Sequence, residues 1–458
     1  MQSSLRAIAP GLLLAAGLFG ADAGVTLIGV GEIPGSALDL SGLTGQICQR
    51  DDAANCIPRA TFGGFGSALA YTGHDNVFLA VPDRGPFDGR TTPGNPYINR
   101  FHFLQIVTNV GAAFPNIQVK LLDTRFLRNG NLPLIGDAYS FNNPDWLRFD
   151  AEGVRVSPNR TFYVSDEYGP YIFEFDRDGY LIRRLPVPAK FLITNPSGDV
   201  DSAGNSLEIY PDKNTYGRQA NRGMEGLAIT PDGRYLVGIM QNALIQDNGL
   251  NTATPPGRVG VNNRILKMNV DTGNTQEFVY VMDAVNQGRG VNEMLAINDH
   301  EFLVLERDNR TYVPTPPGTP AEPLLKRLYK IDLAKQGLTD VSAMSTLPAT
   351  AAALAAAGVT PVDKTLFLDL LDSSYKVDAT HTVKDVIAEK IEGLAWGPDL
   401  PDGRHVLYVI SDNDLSLDLP TKVYAFAIDA AKINFQPQTL PRRIYPKYLL
   451  DLALASSN

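Results

Sequence analysis

Four glutamates recur at the same place in a repeated phrase, and carboxylates so placed can bind a hard cation or move a proton. Glu152, Glu225, Glu293 and Glu392 each lead into a short apolar run, and Asp150 lies beside the first. A second polar set follows the next apolar run of each copy. It comprises Asp83 and Arg84, Asp166 and Glu167, Gln241 and Asn242, Glu306 with Arg307 and Asp308, and Asp412 with Asn413. Gathered in space, these carboxylates cannot all stay ionised without a cation, because like charges in a sheltered site raise one another's pKa. Oxygen and amide donors, with no thiols and only scattered histidines, favour calcium (Ca2+) first and Mg2+ or Mn2+ next. The expected metal ligands are Asp83, Asp150, Glu152, Asp166, Glu225, Glu293, Glu392 and Asp412. Arg84, Arg222 and Arg307 offer planar forks suited to phosphate or carboxylate. Glu167 or Glu306 is the expected general base, and Tyr168, Gln241, Asp308 and Asn413 are expected to face a substrate. A Glu repeated at a bend has a plainer use as well, as an acceptor for backbone donors at that bend.

The phrases themselves show what positions these groups. They read FDAEGVRVSPNRTFYVSDE from Phe149, GMEGLAITPDGRYLVGIMQN from Gly223, VNEMLAINDHEFLVLERD from Val291 and KIEGLAWGPDLPDGRHVLYVISDND from Lys390. A fainter copy, GFGSALAYTGHDNVFLAVPDRG, starts at Gly64. Each contains an apolar strand, a turn, a second apolar strand and a polar cluster. Pro231-Asp-Gly and Pro401-Asp-Gly preset tight reversals, because Pro fixes φ and Gly supplies the positive φ that closes a hairpin. Near-continuous apolar runs such as Tyr235-Leu-Val-Gly-Ile suit strands buried on both faces. Such hairpins need stacked neighbours, and further strands are legible after each, as in Arg264-Ile-Leu-Lys-Met and Lys422-Val-Tyr-Ala-Phe. The glutamates lie 73, 68 and 99 residues apart, which is one propeller blade of roughly 40–50 residues plus insertions. The insertions are Asn248 to Asn263, Val313 to Pro323 and the Ala-rich stretch from Thr346 to Gly358. The fold class is therefore all-β: a single β-propeller of about six blades with loop insertions. In that architecture equivalent residues of different blades meet at one rim of the central channel. A β-helix would need shorter repeats, and a doubly wound α/β fold would need long amphipathic helices.

The chain has 458 residues and a formal net charge of −10. That acidity, with no basic stripe, argues against a nucleic-acid partner. Arg6, the apolar stretch from Ala7 to Gly20 and Ala21-Asp-Ala form a secretory signal at residues 1–23, with cleavage after Ala23. Residues 24–458 form one domain, expected to be a periplasmic or extracellular monomer without membrane insertion. Cys48 and Cys56 are the two cysteines and are expected to pair as a disulfide in an oxidising compartment.

Several stretches together resemble the phytase-like domain family, also described by esterase-like activity of phytase. They are Val81-Pro-Asp-Arg-Gly, Asp150-Ala-Glu-Gly, Ser165-Asp-Glu-Tyr-Gly-Pro, Asn221-Arg-Gly-Met-Glu-Gly-Leu-Ala, Gln241, Leu305-Glu-Arg-Asp, Ile391-Glu-Gly-Leu-Ala-Trp-Gly-Pro, Leu400-Pro-Asp-Gly-Arg and Ser411-Asp-Asn. The resemblance runs from about residue 60 to 430. It implies an exported propeller and a phosphoric ester hydrolase acting on a small-molecule phosphoester. Combined with the acidic set, the expected activity is calcium-dependent phosphatase or phosphodiesterase chemistry. The alternatives are a non-catalytic, calcium-stabilised binding propeller and a lactone or carboxylester hydrolase on the same scaffold.

Overall fold

The computed structural model describes residues 24–138, 147–194, 200–201, 214–253, 256–311 and 324–455. The chain opens with β1 (Val25–Ile33), whose partner comes last. Blade 1 holds β2 (Ala68–Tyr71), β3 (Val77–Val81), β4 (Arg100–Thr108) and β5 (Ile117–Phe126). Blade 2 holds β6 (Ala151–Val156), β7 (Thr161–Asp166), β8 (Ile172–Asp176) and β9 (Leu181–Leu185). Blade 3 holds β10 (Met224–Ile229), β11 (Tyr235–Met240), β12 (Asn262–Asn269) and β13 (Thr275–Val281). Blade 4 holds β14 (Gly290–Ala296), β15 (Glu301–Arg307), β16 (Lys326–Asp332) and β17 (Lys364–Asp369). Blade 5 takes β18 (Lys390–Trp396), β19 (His405–Asp412) and β20 (Thr421–Ile428), and β1 completes it as the outer strand. The inner strands β2, β6, β10, β14 and β18 are neighbours around a closed ring.

Five blades stand where about six were expected. Among the described residues, the stretch from Asp88 to Asp150 supplies β4 and β5 to blade 1 and forms no blade of its own. Beyond Asp429 the chain runs into a loop and the helix Tyr448–Ala455, with no strand among the described residues there. The predicted hairpin turns form as the sequence requires: Gly233 and Gly403 take φ +74° and +87°. Closure through β1 is antiparallel, from Val25 opposite Ile428 to Ile33 opposite Thr421.

Blades pack face to face through apolar side chains on both surfaces of each sheet. One such layer joins Phe101, Phe103, Phe162 and Phe175 of blades 1 and 2, and Tyr445 and Leu449 of the C-terminal segment cover it. The Ala-rich insertion folds as the helix Ala351–Ala356, capped by Thr350 Oγ1, which accepts from Ala353 N at 3.2 Å. Its Leu354 seats against Val279, Val341 and Leu347. Cys48 and Cys56 face one another across a hairpin and are disulfide-bonded. Ile47 and Ile57 of that hairpin pack on Tyr97 and Leu415. The expected signal segment and the Val313 to Pro323 insertion lie outside the described residues. Among the described residues no helix is long and apolar enough to cross a membrane.

One core residue gives the fold a pH dependence. His102 is fully buried against Phe62 and Phe65, with Nδ1 3.0 Å from Thr124 Oγ1. Burial pulls its pKa from 6.5 down to about 3, with Arg100 adding to the effect and Asp39 opposing it. The unfolded chain therefore binds this proton first, and stability falls as pH drops below about 6.5. The cost at pH 5 is about 2 kcal/mol relative to pH 7. Urea titrations of the parent and His102→Leu at both pH values should show the variant losing about that much less on acidification.

Candidate functional site

Several of the expected residues gather on the face where the inner strands begin, and a one-residue bulge sets their geometry. In blades 3, 4 and 5 the ladder slips between Met224 and Gly226, Val291 and Glu293, and Ile391 and Gly393. The bulged residues are thus Glu225, Asn292 and Glu392. Glu152 lies in the corresponding slip of blade 2, and Ser67 precedes the first paired residue of blade 1. The residues leaving the second strands stand beside them: Glu167 opposite Asp150, Gln241 opposite Gly223, Arg307 opposite Gly290 and Asp412 opposite Lys390. Asp83 holds that place in blade 1, two residues past β3.

These groups bond to one another across blades. Asp150 accepts from Arg84 N at 2.8 Å and from Arg84 Nη1 at 3.1 Å. The same Nη1 lies 3.4 Å from Glu167 Oε2, and Nη2 reaches Asp88 at 3.0 Å. Glu225 Oε1 accepts from Gln241 Nε2 at 2.6 Å and Asn292 Nδ2 at 2.8 Å. Arg307 pairs with Glu392, and Lys390 with Asp414. Ser67 donates to Asp412 Oδ2 at 2.9 Å. Arg222 donates to the Gln241 side-chain oxygen, and its charge is felt by Glu225.

The balance is strongly acidic. Asp83, Asp150, Glu152, Glu167, Glu225, Glu392 and Asp412 are seven buried carboxylates gathered at this face. Arg84, Arg222, Arg307 and Lys390 supply four cations. Burial first, and then the neighbouring carboxylates, hold Glu152 and Asp412 well above the usual carboxylate range. Burial also lifts Glu225 well above it, helped by Glu167 and Glu392 and opposed by Arg307 and Arg222. Asp83 is pushed up to about 7 by burial, against the pull of Arg84. Three buried oxygens in or beside the group have no hydrogen-bond partner: Glu167 Oε1, Glu225 Oε2 and Asn292 Oδ1. Asp150, Glu152 and Glu167 each bring one oxygen within 4.8 Å of the others, as do Asp83, Asp412 and Asp414.

Six predicted residues are engaged elsewhere. Glu293 sits one position past the bulge, where blades 2, 3 and 5 carry Gly153, Gly226 and Gly393. There Oε1 accepts from Leu227 N and Met294 N, at 3.1 and 2.8 Å, and Oε2 meets Arg155 at 2.9 Å. Glu306 precedes Arg307 and so faces the other side of its strand. It accepts from Tyr280 Oη and pairs with Lys364, both at 2.6 Å. Asp166 caps the turn after β7, accepting from the backbone of Asp150, Tyr168 and Gly169. Asp308 is taken up by Leu325 N, Arg310 and Lys326. Asn413 ties Gly64 N to Ser416 O and Leu419 O. Tyr168 is wholly buried, its ring under Arg148 at 4.0 Å.

The sequence reading did not single out Ser67, Asn292, Lys390 or Asp414. It also passed over Arg258, an exposed residue of the 248–263 insertion that feels the charges of Arg222 and Glu167. The available signal was position: Asn292 directly precedes Glu293, and Lys390 and Asp414 bracket their phrase.

A curated relative from Arthroderma benhamiae, described as an uncharacterized secreted protein, is 28% identical over 303 residues, covering 56% of this chain and 54% of its own. The chain thus spans about half the length of that relative. A luciferin-regenerating enzyme covers 80% of this chain and 92% of its own at 10% identity and a TM-score of 0.31. A gluconolactonase from Xanthomonas campestris covers 79% and 85% at 8% identity and a TM-score of 0.28. Likeness that loose carries no argument about either fold or activity. The sequence family described as phytase-like, with esterase-like activity of phytase, matches residues 60–415. With that span covering most of the chain and all five phrases, the protein belongs to the phytase-like family.

Proposed function

We propose that the chain is an exported phosphoric ester hydrolase whose acidic rim holds a hard divalent cation, calcium before Mg2+ or Mn2+. The observation that carries this reading is the uncompensated charge: seven buried carboxylates beside four cations, with oxygens of Glu167, Glu225 and Asn292 left unpartnered. Glu152, Glu225 and the Asn292 amide oxygen form the donor set, a hard-oxygen set of the kind calcium takes. A bound cation would polarise phosphoryl oxygens and acidify a water.

The remaining roles belong to side chains already positioned. Arg84 is held by Asp150 and Asp88, so its fork is fixed before a substrate arrives. Arg84, Arg222 and Arg307 neutralise charge developing on the phosphoryl oxygens, and orienting them beforehand avoids reorganisation during the reaction. Glu167, anchored through Oε2 to Arg84 with Oε1 free, accepts the proton of the attacking water. Gln241 orients Glu225 and Arg222 together. The protein is read as a monomer acting on a small phosphoester, with neither nucleic acid nor a membrane as partner.

Chelation tests the reading. Elemental analysis of purified protein should find calcium, and EDTA should abolish hydrolysis of p-nitrophenyl phosphate or bis-p-nitrophenyl phosphate, with recovery on adding calcium back. Phosphoesterase activity that persists after verified metal removal would refute it. Calcium-dependent stability without turnover would show a binding propeller, and turnover confined to a lactone panel would show a different hydrolase.

A further inference from the structure

The opposite mouth of the channel holds a cavity of about 250 Å³. It lies where the inner strands end, and the C-terminal segment crosses over it. Gln436 N donates to Ile297 O at 2.8 Å, Gln438 Nε2 donates to Val156 O at 2.7 Å, and Leu440 O meets the His74 ring at 2.8 Å. The segment is thereby tied to blades 4, 2 and 1, and it roofs the cavity. A polar layer separates this cavity from the acidic rim: Arg155 pairs with Glu293 at 2.9 Å and donates to Leu69 O at 3.0 Å and Met294 O at 2.6 Å.

The lining is mostly apolar. Leu69, Ile229, Leu295 and Ala395 contribute to it, and Trp396 and Phe435 pack together with ring centroids 4.8 Å apart. The indole N–H is already bonded to Ala296 O at 2.7 Å, so Trp396 offers the cavity only apolar surface. Tyr71, Asp399, Gln436 and Gln438 also border it, and among the buried polar atoms of the lining one has no partner. Arg155 is 4% exposed, its terminal nitrogens are bonded, and its Nε is buried without a partner. Its charge is already answered by Glu293.

We propose that this rear cavity binds a small uncharged molecule: an aromatic or alicyclic ring carrying one hydrogen-bond acceptor, the ring against Trp396 and Phe435 and the acceptor on Arg155 Nε. An apolar cavity of roughly 150 Å³ takes a benzene ring, so this one has room for a substituted ring. A carboxylate is disfavoured, because it would bring a second negative charge to an arginine already paired in a buried place. The site is separate from the acidic rim and independent of any cation there.

Trp396 reports on the cavity directly, and Trp146→Phe removes the chain's other tryptophan. In that background, acetophenone should change Trp396 emission saturably, with or without EDTA. Ethylbenzene, of the same shape without the acceptor, should bind about ten-fold more weakly, and benzoate should show no saturable effect. Ala296→Leu, which fills the cavity, should remove acetophenone binding in a protein that keeps its circular dichroism. The absence of a saturable acetophenone response overturns the proposal, as does binding that survives Ala296→Leu. Should that variant not fold, the three probes on the parent background decide, and benzoate binding as tightly as acetophenone overturns the assignment.

Discussion

Glu225→Gln should lower phosphoesterase turnover at least about 100-fold while leaving the five-bladed fold intact. The two side chains are isosteric. The carbonyl of the glutamine can still accept from Gln241 Nε2 and Asn292 Nδ2, which now lie 2.6 and 2.8 Å from Glu225 Oε1. Its amide nitrogen then stands where Oε2 is unpartnered, and presents N–H groups where a cation needs oxygen. The substitution also removes one negative charge from a crowded set, so the calcium-free variant should melt no lower than the calcium-free parent. Its calcium-induced rise in Tm should disappear. Glu306→Gln is the matched control: that residue serves Tyr280 and Lys364, so the variant should lose stability and keep its turnover per folded molecule. Unchanged turnover in Glu225→Gln would move the site away from the rim.

Removing the closing strand should have the largest effect on stability. A chain lacking residues 24–33 loses the buried side chains Val25, Ile28 and Ile33 and the whole ladder to β20. At about 1.5–3 kcal/mol for each buried side chain the loss is on the order of 5 kcal/mol, comparable to the total stability of many domains. It also exposes the edge of β20, whose Val423-Tyr-Ala-Phe-Ala-Ile run is a template for pairing with other chains. Expression of the truncated chain should give aggregate or a Tm lowered by more than 10 °C. A soluble truncation with the parent's melting curve would show that closure through β1 contributes little. Gly31→Val is a milder probe, since a Cβ there would stand 2.8 Å from Ile117 O on the neighbouring blade.

The propeller was legible because its turns and strands repeat in writing. Pro-Asp-Gly marks two hairpins, and every copy of the phrase became an inner pair of strands. The blade count was not legible, because β1 carries no phrase, and because blade 1 reaches its third strand only after the loop between Gly85 and Tyr97. Where the carboxylates gather was legible, and which of them gather was not. Leu-Ala-Ile after Glu225 and after Glu293 puts those two residues in the same column of the sequence. The turn in blade 4 is one residue shorter, however: Ala296 pairs with Phe302, where Ile229 pairs with Leu236. That single residue brings Asn292 to the rim and sends Glu293 below it. At the glycine positions of the other blades a side chain would strike the next blade's backbone, with Cβ 2.8 Å from Leu227 N at Gly153 and from Glu293 C at Gly226. Glu306 failed for a simpler reason. Neighbours on a strand point to opposite faces, so Arg307 at the axis excludes Glu306 from it.

Closure of blade 5 by the first and last strands has a bearing on timing. During synthesis the earliest strand to emerge must wait for the latest, and until β20 arrives the ring is an open arc. The charged rim, which draws on every blade, is then incomplete. A solenoid cut short keeps the local sites of the repeats it retains. A truncated or clipped copy of this chain keeps at most pieces, such as the Asp150, Glu152 and Glu167 trio of blade 2, so the complete rim requires all five blades.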